Sequence, residues 1–261
     1  MTVVRANELD FDVLDVGAGE PVFVFIHGLA CDASAWQPQV DDLSRDHRCV
    51  AISLRGRGQT PAAGPFDVEQ QAADVAAVLD VLGIASAAVV GHSLGGLVAL
   101  LLNALRPGLV RAILIADSPV GPRGFDGAAL AGRILEAGTT GPLEPLLESF
   151  WAEATSPETR ERVRNMMLGC PHEVAAGMLS TPVPPHRLAE LVALADKKPF
   201  MAIWAGRPLG DPVWLRDRAM FIRQEPVAGA GHFVQLEKPA VTNALLRAFL
   251  DDIERDPRPQ A

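Results

Sequence analysis

Gly91-His92-Ser93-Leu94-Gly95 is the stretch that most constrains what this chain can fold into. A short apolar run with strand character, Ala87-Ala88-Val89-Val90, leads into it. A helical apolar run, Gly96-Leu97-Val98-Ala99-Leu100-Leu101-Leu102, leads out. In a strand–turn–helix context the G-x-S-x-G pattern places its serine on a sharp, strained turn. Side chains at 91 or 95 would strike neighbouring backbone, so glycine is required at both. Ser93 then stands at the end of a strand, above the N-terminus of a helix. Free N–H groups and the positive dipole end favour a developing anion there. Ser93 is therefore a candidate nucleophile for covalent catalysis.

The rest of the chain supplies a scaffold for such a turn. Strand-like segments fall at 8–16, 21–26, 49–54, 87–90, 112–116, 200–205 and 221–227, and helical spacing at 68–82 and 241–253. Short buried strands alternating with helices imply crossover connections and an α/β fold, its mostly parallel central sheet flanked by helices. Residues 120–198 break the alternation. They read as helices at 128–137, 143–151, 158–168, 172–179 and 186–195, punctuated by proline and glycine. The expected organisation is a core of residues 1–119 and 199–261, interrupted by a helical cap of residues 120–198 above the strand ends.

Composition narrows the function classes. The 261 residues suffice for one large α/β domain, and a formal charge of −9 argues against nucleic acid or an anionic membrane as partner. Three cysteines, Cys31, Cys49 and Cys170, are too few and too scattered for a disulfide framework or a zinc site. The first residues lack a basic-then-apolar leader, and no apolar run is long enough to span a bilayer. A cytoplasmic protein, monomer or homodimer, without metal or cofactor, is expected. The polar, proline-rich residues 255–261 read as a frayed end.

Three further motifs accompany the pentapeptide. Phe25-Ile26-His27-Gly28-Leu29 follows a strand directly. Asp211-Pro212-Val213 follows the strand at 200–205. Gly229-Ala230-Gly231-His232-Phe233 leads to Glu237-Lys238-Pro239 and a terminal helix. In this order they resemble the α/β-hydrolase superfamily, in its capped esterase and lactonase branch. Arg55-Gly56-Arg57-Gly58-Gln59-Thr60 resembles the R-G-x-G-x-S loop of the same proteins. Ser53 stands where they usually carry Asp, and Thr60 where they carry Ser.

The resemblance implies a role for each motif. His232 would be the base that a weak serine nucleophile needs. Backbone N–H groups of Leu29 and Leu94 would form the oxyanion hole. The acid that orients His232 stays open between two residues. Asp211 is preferred, although it comes two residues later than the usual G-x-x-D-P spacing allows. Asp117, at the end of the 112–116 strand, is the alternative, and Asp217 a distant third. His27, Gly28, His92, Trp36 and Trp151 are candidate pocket residues.

The expected reaction is hydrolysis of a small-molecule carboxylic ester or lactone through an acyl-enzyme, with a mostly hydrophobic acyl or alcohol portion. C–C bond or amide hydrolysis, or cofactor-free oxygenation, would use the same three residues; the resemblance associates the oxygenases with an acid after the earlier strand. A non-catalytic small-ligand receptor is the reading outside enzymology.

Overall fold

The computed structural model describes residues 1–122 and 126–255; residues 123–125 and 256–261, including most of the expected frayed end, lie outside the described part. The chain runs β1 (Thr2–Ala6), β2 (Leu9–Val16), β3 (Val22–Ile26), α1 (Gln37–Leu43), β4 (Cys49–Ile52), α2 (Val68–Val81), β5 (Ala87–His92), α3 (Leu94–Leu105) and β6 (Val110–Ala116). Five helices follow: α4 (Gly127–Ala137), α5 (Thr140–Phe150), α6 (Pro157–Leu168), α7 (His172–Leu179) and α8 (Pro185–Ala195). The chain then returns through β7 (Phe200–Trp204), α9 (Pro212–Arg216), β8 (Arg223–Pro226), α10 (Val234–Glu237) and α11 (Pro239–Arg255).

One eight-stranded sheet has the order β1-β2-β4-β3-β5-β6-β7-β8. It is parallel from β4 through β8, while β1–β2 and β2–β4 pair antiparallel. Side chains of successive strand residues point to opposite faces, and the core divides accordingly. Val24, Ile26, Val89, Ile113 and Ile115 pack on one face with α2, α3 and the inserted helices. Phe23, Phe25, Ala88, Val90 and Leu114 pack on the other with α1 and α11.

Residues 2–6 form an edge strand that the sequence reading treats only as the lack of a leader. Asn7 and Glu8, both at positive φ (42° and 66°), turn it back on β2 with Ala6 opposite Leu9; this is the twist a two-residue hairpin prefers. In the insert, polar caps and prolines set the helix starts. Asp126 accepts from Ala129 N–H at 2.9 Å, and Ser156, followed by Pro157, accepts from Thr159 N–H at 3.2 Å. The two departures in the Arg55 loop are absorbed by a buried network. Ser53 Oγ donates to Asp12 Oδ2 at 3.2 Å, and Thr60 Oγ1 to the Ser53 carbonyl at 2.8 Å. Among the described residues no helix is long and apolar enough to cross a membrane, and no group of three or more His, Cys, Asp or Glu could hold a metal ion.

Candidate active site

β5 lies at the centre of the parallel sheet, between β3 and β6, and Ser93 follows its last residue with φ 53° and ψ −121°. That is a sparsely populated conformation for a residue with a side chain. Neighbouring backbone holds it. The Ser93 N–H donates to the Ala116 carbonyl at 2.8 Å, and the Ser93 carbonyl accepts from Gly96 N–H at 2.9 Å. A Cβ on Gly91 would come within 2.2 Å of the Gly95 carbonyl oxygen, and one on Gly95 within 2.4 Å of the Ile26 carbonyl oxygen. Neither contact involves a side chain that can move aside. Gly95→Ala is accordingly expected to lose at least about 3 kcal/mol of stability, in the range of severe overpacking and backbone clashes; urea unfolding checks this.

Leu94 is the first residue of α3, so its N–H has no acceptor within the helix. It lines a cavity of about 290 Å³ together with Gly28, Leu29, His92, Ser93 and His232. Val68, Leu97, Phe150, Met167, Met178 and Leu188 supply much of the remaining wall, so α5, α6, α7 and α8 close over Ser93 from the insert side.

His232 sits on the loop after β8 and is 5% exposed. Its Nδ1 lies 2.7 Å from Asp117 Oδ2, which assigns the ring proton to Nδ1 and leaves a lone pair on Nε2. Asp117 follows β6, the strand beside β5, at φ 44°. Its other oxygen, Oδ1, accepts from the N–H groups of Ala205 and Leu209, each at 3.2 Å. The preferred sequence candidate, Asp211, does something else. It is the N-cap of α9, where Oδ1 accepts from Val213 and Trp214 N–H at 3.0 Å each, and Pro212 occupies the first turn. Asp-Pro before an apolar run is a helix-start signature, and that signal outweighs the loop spacing. Asp217 is the C-cap residue of the same short helix.

Two pocket candidates line the cavity and three do not. Gly28 and His92 form its wall. His27 is fully buried beneath it: Nδ1 donates to the Gly28 carbonyl at 2.8 Å, and Nε2 accepts from Leu54 N–H at 3.0 Å. Both ring nitrogens are spent fixing the loop. Trp36 packs with Phe25, ring centroids 5.2 Å apart, on the opposite face of the sheet. Trp151 lies outside the cavity wall, its ring tilted at 34° against Phe233 with centroids 5.8 Å apart and under the Arg160 guanidinium. Phe150, its neighbour, takes the place by the imidazole, centroids 4.1 Å apart. Cys31 also reaches the cavity, and burial pushes its thiol up. Arg57, read only as part of a loop motif, is buried and ties the loop to the insert: it donates to the Cys31 carbonyl at 2.8 Å and the Met166 carbonyl at 2.7 Å.

Burial governs the other two histidines of the site. It lowers the His27 pKa to about 4 and drives that of His92 well below its ordinary value, with the nearby His232 adding to the latter. His92 Nε2 donates to the carbonyl of His232 at 2.9 Å. Above pH 6.5 both folded and unfolded chains carry these rings neutral. As pH falls from 6.5 towards 4 the unfolded chain takes up a proton that folded His27 refuses, so stability is lost across that window. Two and a half pH units at His27 correspond to roughly 3 kcal/mol. Urea unfolding at pH 7 and pH 4.5 should show the fall, and His27→Gln should make it shallower.

Comparison with known proteins agrees with this architecture. An enol-lactonase from Burkholderia xenovorans superposes with a TM-score of 0.84 at 22% identity, covering 96% of this chain and 100% of the other. A thermophilic esterase from Thermogutta terrifontis gives 0.82 at 22% identity, covering 97% and 98%. At such identities the likeness is one of fold. In sequence, the dihydrolipoyllysine-residue acetyltransferase component of an acetoin cleaving system from Cupriavidus necator is 29% identical over 250 residues, which is 90% of this chain and 64% of that protein. The chain therefore spans just under two thirds of that relative's length. The model of the alpha/beta hydrolase family matches residues 23–245; with most of its length matched, the chain belongs to the α/β-hydrolase family.

Proposed function

We propose that the protein hydrolyses a carboxylic ester or lactone with a predominantly apolar acyl portion, through an acyl-enzyme on Ser93. The observation that carries this reading is the 2.7 Å contact between His232 Nδ1 and Asp117 Oδ2, with Asp117 behind an imidazole that lines the same cavity as Ser93. It leaves Nε2 unprotonated, the form a base needs to take the serine proton. Ser93 Oγ attacks the substrate carbonyl while Nε2 accepts its proton. The N–H groups of Leu29 and Leu94 receive the oxyanion. The imidazolium, steadied by Asp117, returns the proton to the departing alkoxide. Water then enters and attacks the acyl carbonyl as it gives a proton to Nε2, and the imidazolium returns that proton to Ser93 Oγ as the acid departs. The five-helix insert acts as a cap whose apolar side chains hold the acyl chain and exclude bulk water.

The experiment is a stopped-flow assay with p-nitrophenyl butyrate, with mass spectrometry of the trapped protein. A burst of p-nitrophenol and a butyryl adduct on the peptide containing Ser93 support the reading. Turnover with neither burst nor adduct in rapidly quenched samples, together with resistance to a fluorophosphonate, overturns it.

A second reading draws on the position of Asp117 after β6. The resemblance associates that placement with cofactor-free oxygenation on the same residues. Oxygen uptake on a panel of aromatic ketones, measured beside hydrolysis of p-nitrophenyl butyrate, separates the two.

A further inference from the structure

The loop carrying His232 is gripped from outside the cavity by one carboxylate and by the junction between α5 and α6. Glu237, in α10, accepts from Gly231 N–H through Oε2 at 2.9 Å and from Phe233 N–H through Oε1 at 3.1 Å. The amides on either side of His232 thus share a single carboxylate. The N–H of His232 itself donates to the Phe150 carbonyl, at 2.8 Å. Thr155 joins the two grips: its hydroxyl donates to Glu237 Oε2 at 2.5 Å and accepts from Ala152 N–H at 3.0 Å. Arg160 closes the junction by donating to the carbonyls of Thr155 and Ala152, at 3.2 and 3.3 Å. The segment lies directly on the loop, since a Cβ on Gly231 would fall 2.2 Å from the Phe150 carbonyl oxygen.

We propose that Glu237 is a positioning residue for His232, and that Thr155 extends its hold to the insert, so that the α5–α6 junction is part of the mounting of the base. This rests on the reading of Ser93 and His232 as nucleophile and base. Glu237 is absent from the cavity wall, so it acts on the reaction only through the loop. A carboxylate suits the place because three donors converge on its two oxygens and it has no hydrogen to set against them. In Glu237→Gln one of those oxygens becomes an NH₂ that must face an N–H. Displacing the junction to open the cavity would also unseat the base, so access has to come from another part of the rim.

The test measures turnover per active site, titrated with a fluorophosphonate, on p-nitrophenyl butyrate. Glu237→Gln and Thr155→Val are expected to lower kcat per titrated Ser93 by roughly 10- to 100-fold with KM changed less than about threefold, the scale of a reacting group misplaced by about an ångström. Thr155→Ser restores the hydroxyl and is expected to restore kcat. A purely structural role would reduce the titratable fraction and the melting temperature but leave kcat per site intact, and that result overturns the proposal. Thr155→Val carries the test if Glu237→Gln does not fold. His232→Asn separates the two levels. If it retains turnover, the reading of the base fails. If it is inactive while Glu237→Gln and Thr155→Val keep wild-type kcat per site, only the positioning role fails.

Discussion

Ser93→Ala is expected to lower kcat on a p-nitrophenyl ester by about 10⁶-fold, as loss of a nucleophile does where serine and histidine act as a unit. The substitution removes a single oxygen. Alanine keeps the Cβ that the φ 53° backbone already accommodates, and the backbone bonds to Ala116 and Gly96 do not involve the hydroxyl. Melting temperature should therefore stay within a degree or two of wild type, on the order of the few tenths of a kcal/mol typical of harmless substitutions. What survives is the catalysis that oxyanion donors and binding give unaided, about 10³-fold or more over water. Turnover in Ser93→Ala within tenfold of wild type would remove the acyl-enzyme from consideration.

Asp117→Asn is expected to cost about 10⁴-fold in kcat, and the structure says why. Oδ1 of Asp117 already accepts from the amides of Ala205 and Leu209. An asparagine must keep its oxygen there, which turns its NH₂ towards His232 Nδ1. Two donors cannot pair, so the imidazole moves its proton to Nε2 and loses the lone pair that would deprotonate Ser93. Asp211→Ala provides the contrast. It removes the N-cap of α9 at a cost of about 1 kcal/mol and should leave kcat within about threefold of wild type. The reverse ranking of the two variants would restore Asp211 as the acid.

The contrast marks where sequence reading succeeds and where it stops. Four of the five insert helices are legible to within a residue because their ends are chemical: Ser156-Pro157 opens α6, Pro184 and Pro185 open α8, and His172–Leu179 is helical throughout; α5 begins at Thr140, three residues before the expected 143, because Gly141 and Pro142 lie within its first turn. The Ser93 turn is legible because its five residues are contiguous in the chain; the demand for Gly91 comes from Gly95 itself, although that for Gly95 comes from the Ile26 and His27 carbonyls across the sheet. The choice between Asp117 and Asp211 as the partner of His232 is not, because it depends on strand order. Asp117 meets a histidine 115 residues away only because β6 lies beside β5 and β7 beyond it. Spacing within one loop carries no such information, whereas Asp211-Pro212 did carry a local signal, that of a helix cap. Trp36 and Trp151 do not line the Ser93 cavity for a related reason. Which side of a sheet or loop an aromatic faces is decided by packing, and a neighbour one residue away, Phe150, can take the position instead.

The anchoring of Asp117 Oδ1 has a consequence for variation in this protein. Both of its donors, Ala205 and Leu209, contribute main-chain amides, and the side chains of Arg207 and Pro208 between them take no part in holding the carboxylate. The loop beyond β7 is therefore bound by its backbone path and indifferent to much of its spelling. Arg207 and Pro208 can be exchanged to reshape the surface beside the site with the base still aligned, whereas Gly206 packs against the Ala230 carbonyl of the His232 loop. Proline at 209, which has no amide to give, is the substitution this freedom does not extend to.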